Sequence, residues 1–232
     1  HMSNASLVKH YKEWGFNAVR LGTMWSGVEP EQGKYNETYL QVIRSQLSLL
    51  ADNGMHAFLD MHQDVLSKRF GTYDGAPAWL VDILPKGRNP YPYPWKSTKP
   101  FYAGGWAKQY FTEDCCAAFQ GLYDNVNHSQ DMFIAFWKKV ASTFKDVTSV
   151  LGYELINEPW AEDVWADPLL FLPGKSGSHN LFPMYDKIAR AIRDVDNDTI
   201  IMYEPVTWGY VLNGEILGTG IDTVPGGPEF RD

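Results

Sequence analysis

Four short stretches hold the residues that could do chemistry. The run Leu151–Ile156 is apolar and then stops at Asn157, Glu158 and Pro159: an amide, an acid and a strand-breaker. Asp60 and His62 stand two apart at the end of a second apolar run, Arg20 sits in a third, and Glu204 follows a fourth. Side chains of a strand alternate with a period of two, so Asp60 and His62 share a face, as do Glu154 and Glu158. A carboxylic acid fixed at a pocket mouth can serve as a general acid if it keeps its proton near neutral pH. Burial among aromatics such as Trp160 raises a carboxyl pKa in that direction. Asn157 can donate and accept, as gripping a sugar hydroxyl requires. Glu154 lies deeper, where a carboxylate must be paired, and Arg20 is the candidate partner. A purely structural ion pair there is an equally good reading. The Asn-Glu-Pro tripeptide turns up by chance in roughly 3 of 100 chains of this length, so its weight comes from Asp60, His62 and Arg20 on earlier strands.

The elements that position these residues follow from periodicity. Asn17–Leu21, His56–Met61, Val150–Ile156 and Thr199–Tyr203 are short and apolar, as strands of a parallel sheet covered on both faces are. Helical patterns lie between them: Ser6–Trp14, Thr38–Asp52 with Asn36 as cap and Gly54 past its end, Phe133–Phe144, and Met184–Val195. This alternation predicts an α/β fold, a barrel or a doubly wound sheet. No glycine-rich phosphate loop follows a strand, and the polar residues gather at the carboxyl ends of several strands, which favours the barrel. Two insertions interrupt the rhythm. Val65–Phe111, with GTYDGAPAW and NPYPYPW, is too long for an ordinary loop and is expected to wall the catalytic face. Ala161–Asn180 is expected to flank the same opening.

Composition narrows the classes. The 232 residues are 44% hydrophobic and 15% aromatic, enough for a sizeable core. A net charge of −8 without a basic patch argues against nucleic acid. No apolar run approaches the ~18 residues of a membrane span. Cys115 and Cys116 are adjacent, a spacing that strains a bridge and favours two buried thiols. Sequons at Asn4, Asn36, Asn127 and Asn197, against about one or two expected, point to a secreted or endolysosomal protein. No signal peptide is read, because the chain opens on His1-Met2, as a cloning scar would, and runs almost directly into a helix. No metal or cofactor is implied: the site is carboxylates, an amide and Arg, and His62 has no second His or Cys at ligand spacing.

In its order of motifs the chain resembles glycoside hydrolase family 5. GFNAVRLGTMWSGVEPEQGKY, LDMHQDVLSKRF, DGAPAW and ELINEPW resemble the endoglycoceramidase-related branch, over nearly the whole chain. The resemblance implies a (β/α)8 TIM barrel and retaining hydrolysis of β-glycosides, in this branch of sphingolipid or related lipid glycosides. It implies Glu158 as acid/base, Asn157 contacting the sugar beside the scissile bond, Arg20 supporting the nucleophile, and Asp60 and His62 lining the sugar site. Retaining hydrolysis needs a second carboxylate about 5–5.5 Å away, which the family carries on its seventh strand. Residues 1–232 therefore read as part of a single barrel domain holding strands two to five, its first and last strands missing, with the nucleophile expected beyond Asp232. The remainder of the barrel, if a separate chain, is then a partner, as is a membrane surface presenting the substrate. Glu204, one strand over from Glu158, is expected to be structural or to line the site, since neighbouring strand ends only ~4.8 Å apart set carboxylates side by side.

Two other functions fit the same residues. One is a β-glucosidase or endoglucanase on soluble substrates, which would need an aromatic platform rather than an apolar groove. Apolar side chains in Ala76–Leu84 and Phe171–Phe182 lean toward lipid. The other is a barrel fragment that binds glycan or lipid without cleaving it.

Overall fold

The computed structural model describes residues 3–96 and 105–206, with two further short strands at 210–212 and 215–217. His1 and Met2, read above as a scar, lie outside the described residues. Helix α1 (Ala5–Glu13) starts at Asn4, whose side chain accepts the Leu7 N–H at 3.2 Å. A carboxamide in that position satisfies an amide the helix itself cannot. β1 (Ala18–Gly22) and a single turn, α2 (Trp25–Val28), follow. Helix α3 (Glu37–Asp52) starts at Asn36, which accepts the Tyr39 N–H at 3.0 Å, and the chain turns at Gly54 with φ +62°. Two of the four sequon asparagines thus also cap helices.

β2 (His56–Asp60) opens the long connection. That connection is more structured than its sequence suggests. It contains a 3-10 turn at Lys68–Phe70, α4 (Ala78–Ile83) and a second 3-10 stretch at Trp106–Phe111, with 97–104 outside the described residues. α5 (Glu113–Tyr123) comes next and was not expected. It is buried on nearly every side, Cys115 and Cys116 included, so it lacks the two-faced pattern by which a surface helix is read. Both thiols are free, and burial pushes each above the usual thiol range. α6 (Ser129–Phe144), β3 (Val150–Glu154), α7 (Phe182–Arg193) and β4 (Ile200–Met202) complete the sheet and its cover. No helix among the described residues is long and apolar enough to cross a membrane.

The sheet settles the architecture. Its order is β1-β2-β3-β4 with every pair parallel. Each crossover steps one strand in the same direction, so there is no reversal point of the kind that defines a doubly wound sheet. This is the arrangement of consecutive strands in a (β/α)8 barrel. The register aligns Gly22 with Asp60, Asp60 with Glu154 and Glu154 with Met202. Aligned residues of parallel strands point the same way, so Arg20, Asp60 and Glu154 share one face. The other face, with Leu21, Ala57, Leu59 and Tyr153, packs into the helical core beside Leu47, Phe136, Trp137 and Ile188. On the site-bearing face Phe58 and Met202 are half-buried and Ile200 is 56% exposed.

Two glycines separate the costs of backbone strain and of close approach. Gly33 and Gly75 both have left-handed φ, +74° and +88°. A Cβ on Gly33 meets nothing within 4 Å, whereas one on Gly75 would lie 2.3 Å from the Leu66 carbonyl oxygen. Gly33→Ala should cost about 1 kcal/mol of left-handed strain. Gly75→Ala adds the clash, for about 2–4 kcal/mol together and a melting point lower by roughly 5–15 °C. Thermal unfolding of the two variants checks this; equal shifts would refute the close approach.

Candidate active site

The guanidinium of Arg20 ties the strand ends together. Its Nε donates to Glu154 Oε2 at 2.6 Å and its Nη2 to Glu154 Oε1 at 2.7 Å, a two-point grip. Nη2 also donates to Asn157 Oδ1 at 2.8 Å and Glu204 Oε1 at 3.1 Å, and Nε lies 3.3 Å from Asp60 Oδ2. Partners from β2, from β3 and its end, and from the end of β4 therefore meet one cation on β1. Burial alone would lower the Arg20 pKa. The hydrogen bond to Glu154 and the charges of Asp60, Glu154 and Glu204 outweigh it and hold the group above its usual value.

Asp60 and His62 meet as their spacing implies, with His62 Nδ1 2.8 Å from Asp60 Oδ2. Asp60 is buried, and that burial pushes its carboxyl up against the opposing pulls of His62 and Arg20. His62 is also pushed up, chiefly by its hydrogen bond to Asp60.

Asn157 is fixed on every side. Its N–H donates to the Met61 carbonyl at 3.1 Å, its Nδ2 to the Gln63 carbonyl at 2.9 Å, and its Oδ1 accepts from Arg20. Glu158 differs. Its backbone is held by its N–H to Glu204 Oε2 at 3.2 Å and by Gln63 Nε2 donating to its carbonyl at 3.1 Å. It sits at φ +41°, a strained conformation for a residue with a Cβ. Its half-buried side chain makes no hydrogen bond or ion pair among the described residues, so it is available to a ligand. Trp160, expected to bury the acid, belongs to another cluster: it stacks on Tyr110 at 5.7 Å between ring centres and donates its indole N–H to Cys116 Sγ at 3.3 Å. Glu204 stands beside Glu158 rather than apart from it, held by Arg20 and the Glu158 amide, while the Tyr185 hydroxyl donates to its carbonyl at 2.8 Å.

Three residues of the site were missed in the sequence. Gln63, fully buried, donates through Nε2 to the Asn157 carbonyl at 2.6 Å and to the Tyr110 hydroxyl at 3.0 Å, and accepts the Leu66 N–H at 2.6 Å. It clamps the end of β2 to the end of β3. Asp64 extends the alternation of Asp60 and His62 by one step, a signal that was present in the sequence. It lies 3.9 Å from His62 Nε2, its N–H donates to Asp74 Oδ1 at 3.2 Å, and burial and the charge of Asp74 push its carboxyl up to about 6. Glu158 adds to that push, so its charge reaches Asp64. His62, Asp64 and Asp74 place ligand atoms within 4.8 Å of one another, which is the spacing of a cation site. A proton shared between the two carboxyls accounts for the same closeness.

The two insertions meet each other through aromatic rings. Tyr93 and Phe111 of the first lie 5.5 and 5.3 Å from Trp165 of the second, and Phe111 stacks on Phe171 at 6.4 Å. Leu169 and Leu172 beside them are 59% and 47% exposed.

Comparison with known proteins agrees with this geometry. A family model described as Cellulase (glycosyl hydrolase family 5) matches residues 1–225. The endoglycoceramidase of Cyanea nozakii is 41% identical over 97% of this chain and 45% of its own length, and that of Hydra vulgaris 40% over 97% and 44%. The solved endo-glycoceramidase II from Rhodococcus sp., in its ganglioside GM3 complex, superposes with a TM-score of 0.72 at 28% identity, covering 94% of this chain and 47% of that one. The chain thus spans about half the length of the relatives it matches.

The Asp64–Asp74 pair gives a direct pH test. A carboxyl raised from 3.8 to about 6 on folding stabilises the fold fully below its unfolded pKa and loses that contribution as pH rises through about 6. Asp74→Asn removes the like charge and should lower the Asp64 titration toward the ordinary range, leaving the part due to burial. Carboxyl-detected NMR titration reads this; an unchanged midpoint would mean that Asp74 contributes nothing.

Proposed function

The chain belongs to glycosyl hydrolase family 5, and on that footing we propose that it carries the acid/base side of a retaining β-glycosidase acting on glycolipids such as glycosphingolipids. The observation that carries the proposal is Glu158. Its backbone is pinned by Gln63 and Glu204, and its carboxyl is free of protein partners among the described residues, next to an Asn157 held on every side. A residue that gives and retrieves a proton needs that combination of fixed backbone and free side chain.

In this reading Glu158 protonates the glycosidic oxygen as the bond breaks and later takes a proton from water. Asn157 binds the sugar hydroxyl beside the scissile bond. Asp60 and His62 line the sugar site, His62 oriented by its bond to Asp60. Arg20 holds Asn157 and supports the nucleophile. That nucleophile is the carboxylate expected beyond Asp232, in the length of its relatives that this chain does not span, with residues 1–232 forming part of a single barrel domain. Glu204 lies beside the acid instead of opposite it, and an attack on the far face of the sugar needs a carboxylate opposite.

A lipid aglycone is supported by the relatives named endoglycoceramidase and by the exposed Leu169 and Leu172 at the rim of the aromatic wall. A substrate held in a membrane would bring this rim to the bilayer surface. The four sequons support a secreted or endolysosomal glycoprotein, and Asn4, Asn127 and Asn197 are exposed.

The experiment is Glu158→Gln in the protein extended to its relatives' length. The amide keeps the shape and cannot give up a proton, so turnover of a natural glycolipid should fall on the order of 10²–10⁴-fold. Aryl glycosides with activated phenol leaving groups need little protonation and should lose much less in the bond-breaking step. Equal losses on both substrates would remove Glu158 from the role of acid.

A further inference from the structure

A second acid stands four positions after Glu158, in a wholly different setting. Glu162 is fully buried and, like Glu158, has a left-handed backbone, with φ +74°. The loop between them is therefore strained at both ends by residues that carry a Cβ. One carboxyl oxygen of Glu162 accepts Asn180 Nδ2 at 2.9 Å, and Asn180 in turn pairs with Gln120. The other oxygen and the buried Tyr123 hydroxyl act on each other electrostatically, and neither makes a hydrogen bond of ordinary geometry among the described residues.

The surroundings decide the protonation state. From α5 come Cys116 and Tyr123, from the position just past it Asp124, and from α7 Tyr185; Asp163 is its neighbour in the loop. Asn180 and Gln120 are neutral. No cation faces the group among the described residues, and burial with the charge of Asp124 pushes the carboxyl well above its ordinary range. A carboxylate without a cation is strongly disfavoured in such a pocket, and a bound proton removes that penalty.

We propose that Glu162 is a positioning residue for Glu158: buried and bonded to Asn180, it anchors the far end of the strained loop and so sets the backbone that presents Glu158. The positioning claim rests on the reading of Glu158 as acid/base; the anchoring claim does not. As the acid, Glu162 offers one acceptor to Asn180 and one hydroxyl to Tyr123. As the carboxylate it can still accept from Asn180 and Tyr123, but it is a buried charge that no cation faces among the described residues and it repels Asp124. The contribution is therefore complete below the unfolded pKa and is lost as pH rises toward the folded one.

The test uses this chain, its Glu162→Gln and Glu162→Ala variants, and Glu158→Gln, none of which requires turnover. Gln reproduces the neutral acid, with a carbonyl for Asn180 and an amide for Tyr123, and cannot ionise. Between pH 5 and pH 9 the melting point of the unsubstituted chain should fall by about 4 °C or more relative to Glu162→Gln. Glu162→Ala should be less stable than both at pH 5. Hydrogen exchange at residues 157–163, corrected for intrinsic base catalysis, should show protection falling with pH in the unsubstituted chain, retained in Glu162→Gln and lost at every pH in Glu162→Ala. Glu158→Gln removes a charge that acts on Asp64 and shifts the melting profile accordingly, but exchange at residues 157–163 should still lose protection as pH rises. A melting difference independent of pH would overturn the neutral acid. Unchanged exchange in Glu162→Ala would overturn the anchor. Failure of the Glu158 assignment in turnover assays would leave both of these measurements standing, so the two readings fail separately.

Discussion

A single guanidinium governs how the four strand ends of this protein come together. Glu154, Asp60, Glu204 and Asn157 all present oxygens to Arg20. Three of them are carboxylates, and without a shared cation they would repel one another in a half-buried space. Arg20 can serve them together because its planar fork offers several N–H groups in fixed directions; a lysine ammonium offers a point charge with no such fork. Asp60 and Glu154 are nearly closed off from solvent while the Arg20 side chain is 35% exposed, so water screens part of what losing one member would cost. The position of Asn157, and through the backbone that of Glu158, depends on that hub.

Much of this was legible in the sequence, for physical reasons that can be named. The four strands were short apolar runs and were found within a residue or two of their expected bounds. Period two brought Asp60 to His62, and the rule that a deep carboxylate needs a partner brought Arg20 to Glu154. What failed was whatever lacks an amphipathic signature. α5 is buried all round, and the Val65–Phe111 connection hides α4 among glycines and prolines. Gln63 was passed over because an amide beside two more reactive residues does not announce that its contacts are backbone carbonyls from another strand. The aromatic cradle expected around Glu158 was wrong in a similar way: Trp160 is adjacent in sequence, but its ring belongs to the cluster of Tyr110 and Phe171.

The two insertions illustrate how loop-like composition can give a packed structure. Their aromatic residues find partners in each other: Trp165 receives Tyr93 and Phe111, and Phe171 sits against Phe111 and Trp160. Edge and offset ring contacts of this kind are worth about 0.5–1.5 kcal/mol each beyond the area they bury. The indole N–H groups are bonded as well, Trp165 to the Phe111 carbonyl at 3.2 Å and Trp95 to the Lys108 carbonyl at 2.8 Å. Ring packing of this kind supplements the short helical stretches Lys68–Phe70, Ala78–Ile83 and Trp106–Phe111 of the first insertion.

The order β1-β2-β3-β4 has a consequence for the time course of synthesis. Each of β2, β3 and β4 pairs with the strand that precedes it in the chain, so none of the three need wait for a later partner in order to dock. Domains of nascent chains form as their contacts become available, and a sheet ordered as it is translated can grow by accretion, each helix closing over the strand just added. The guanidinium of Arg20 is present from β1 onward. It can capture Asp60, then Glu154 and Asn157, then Glu204, in the order in which they emerge, so that the strand ends are brought into alignment one at a time during translation.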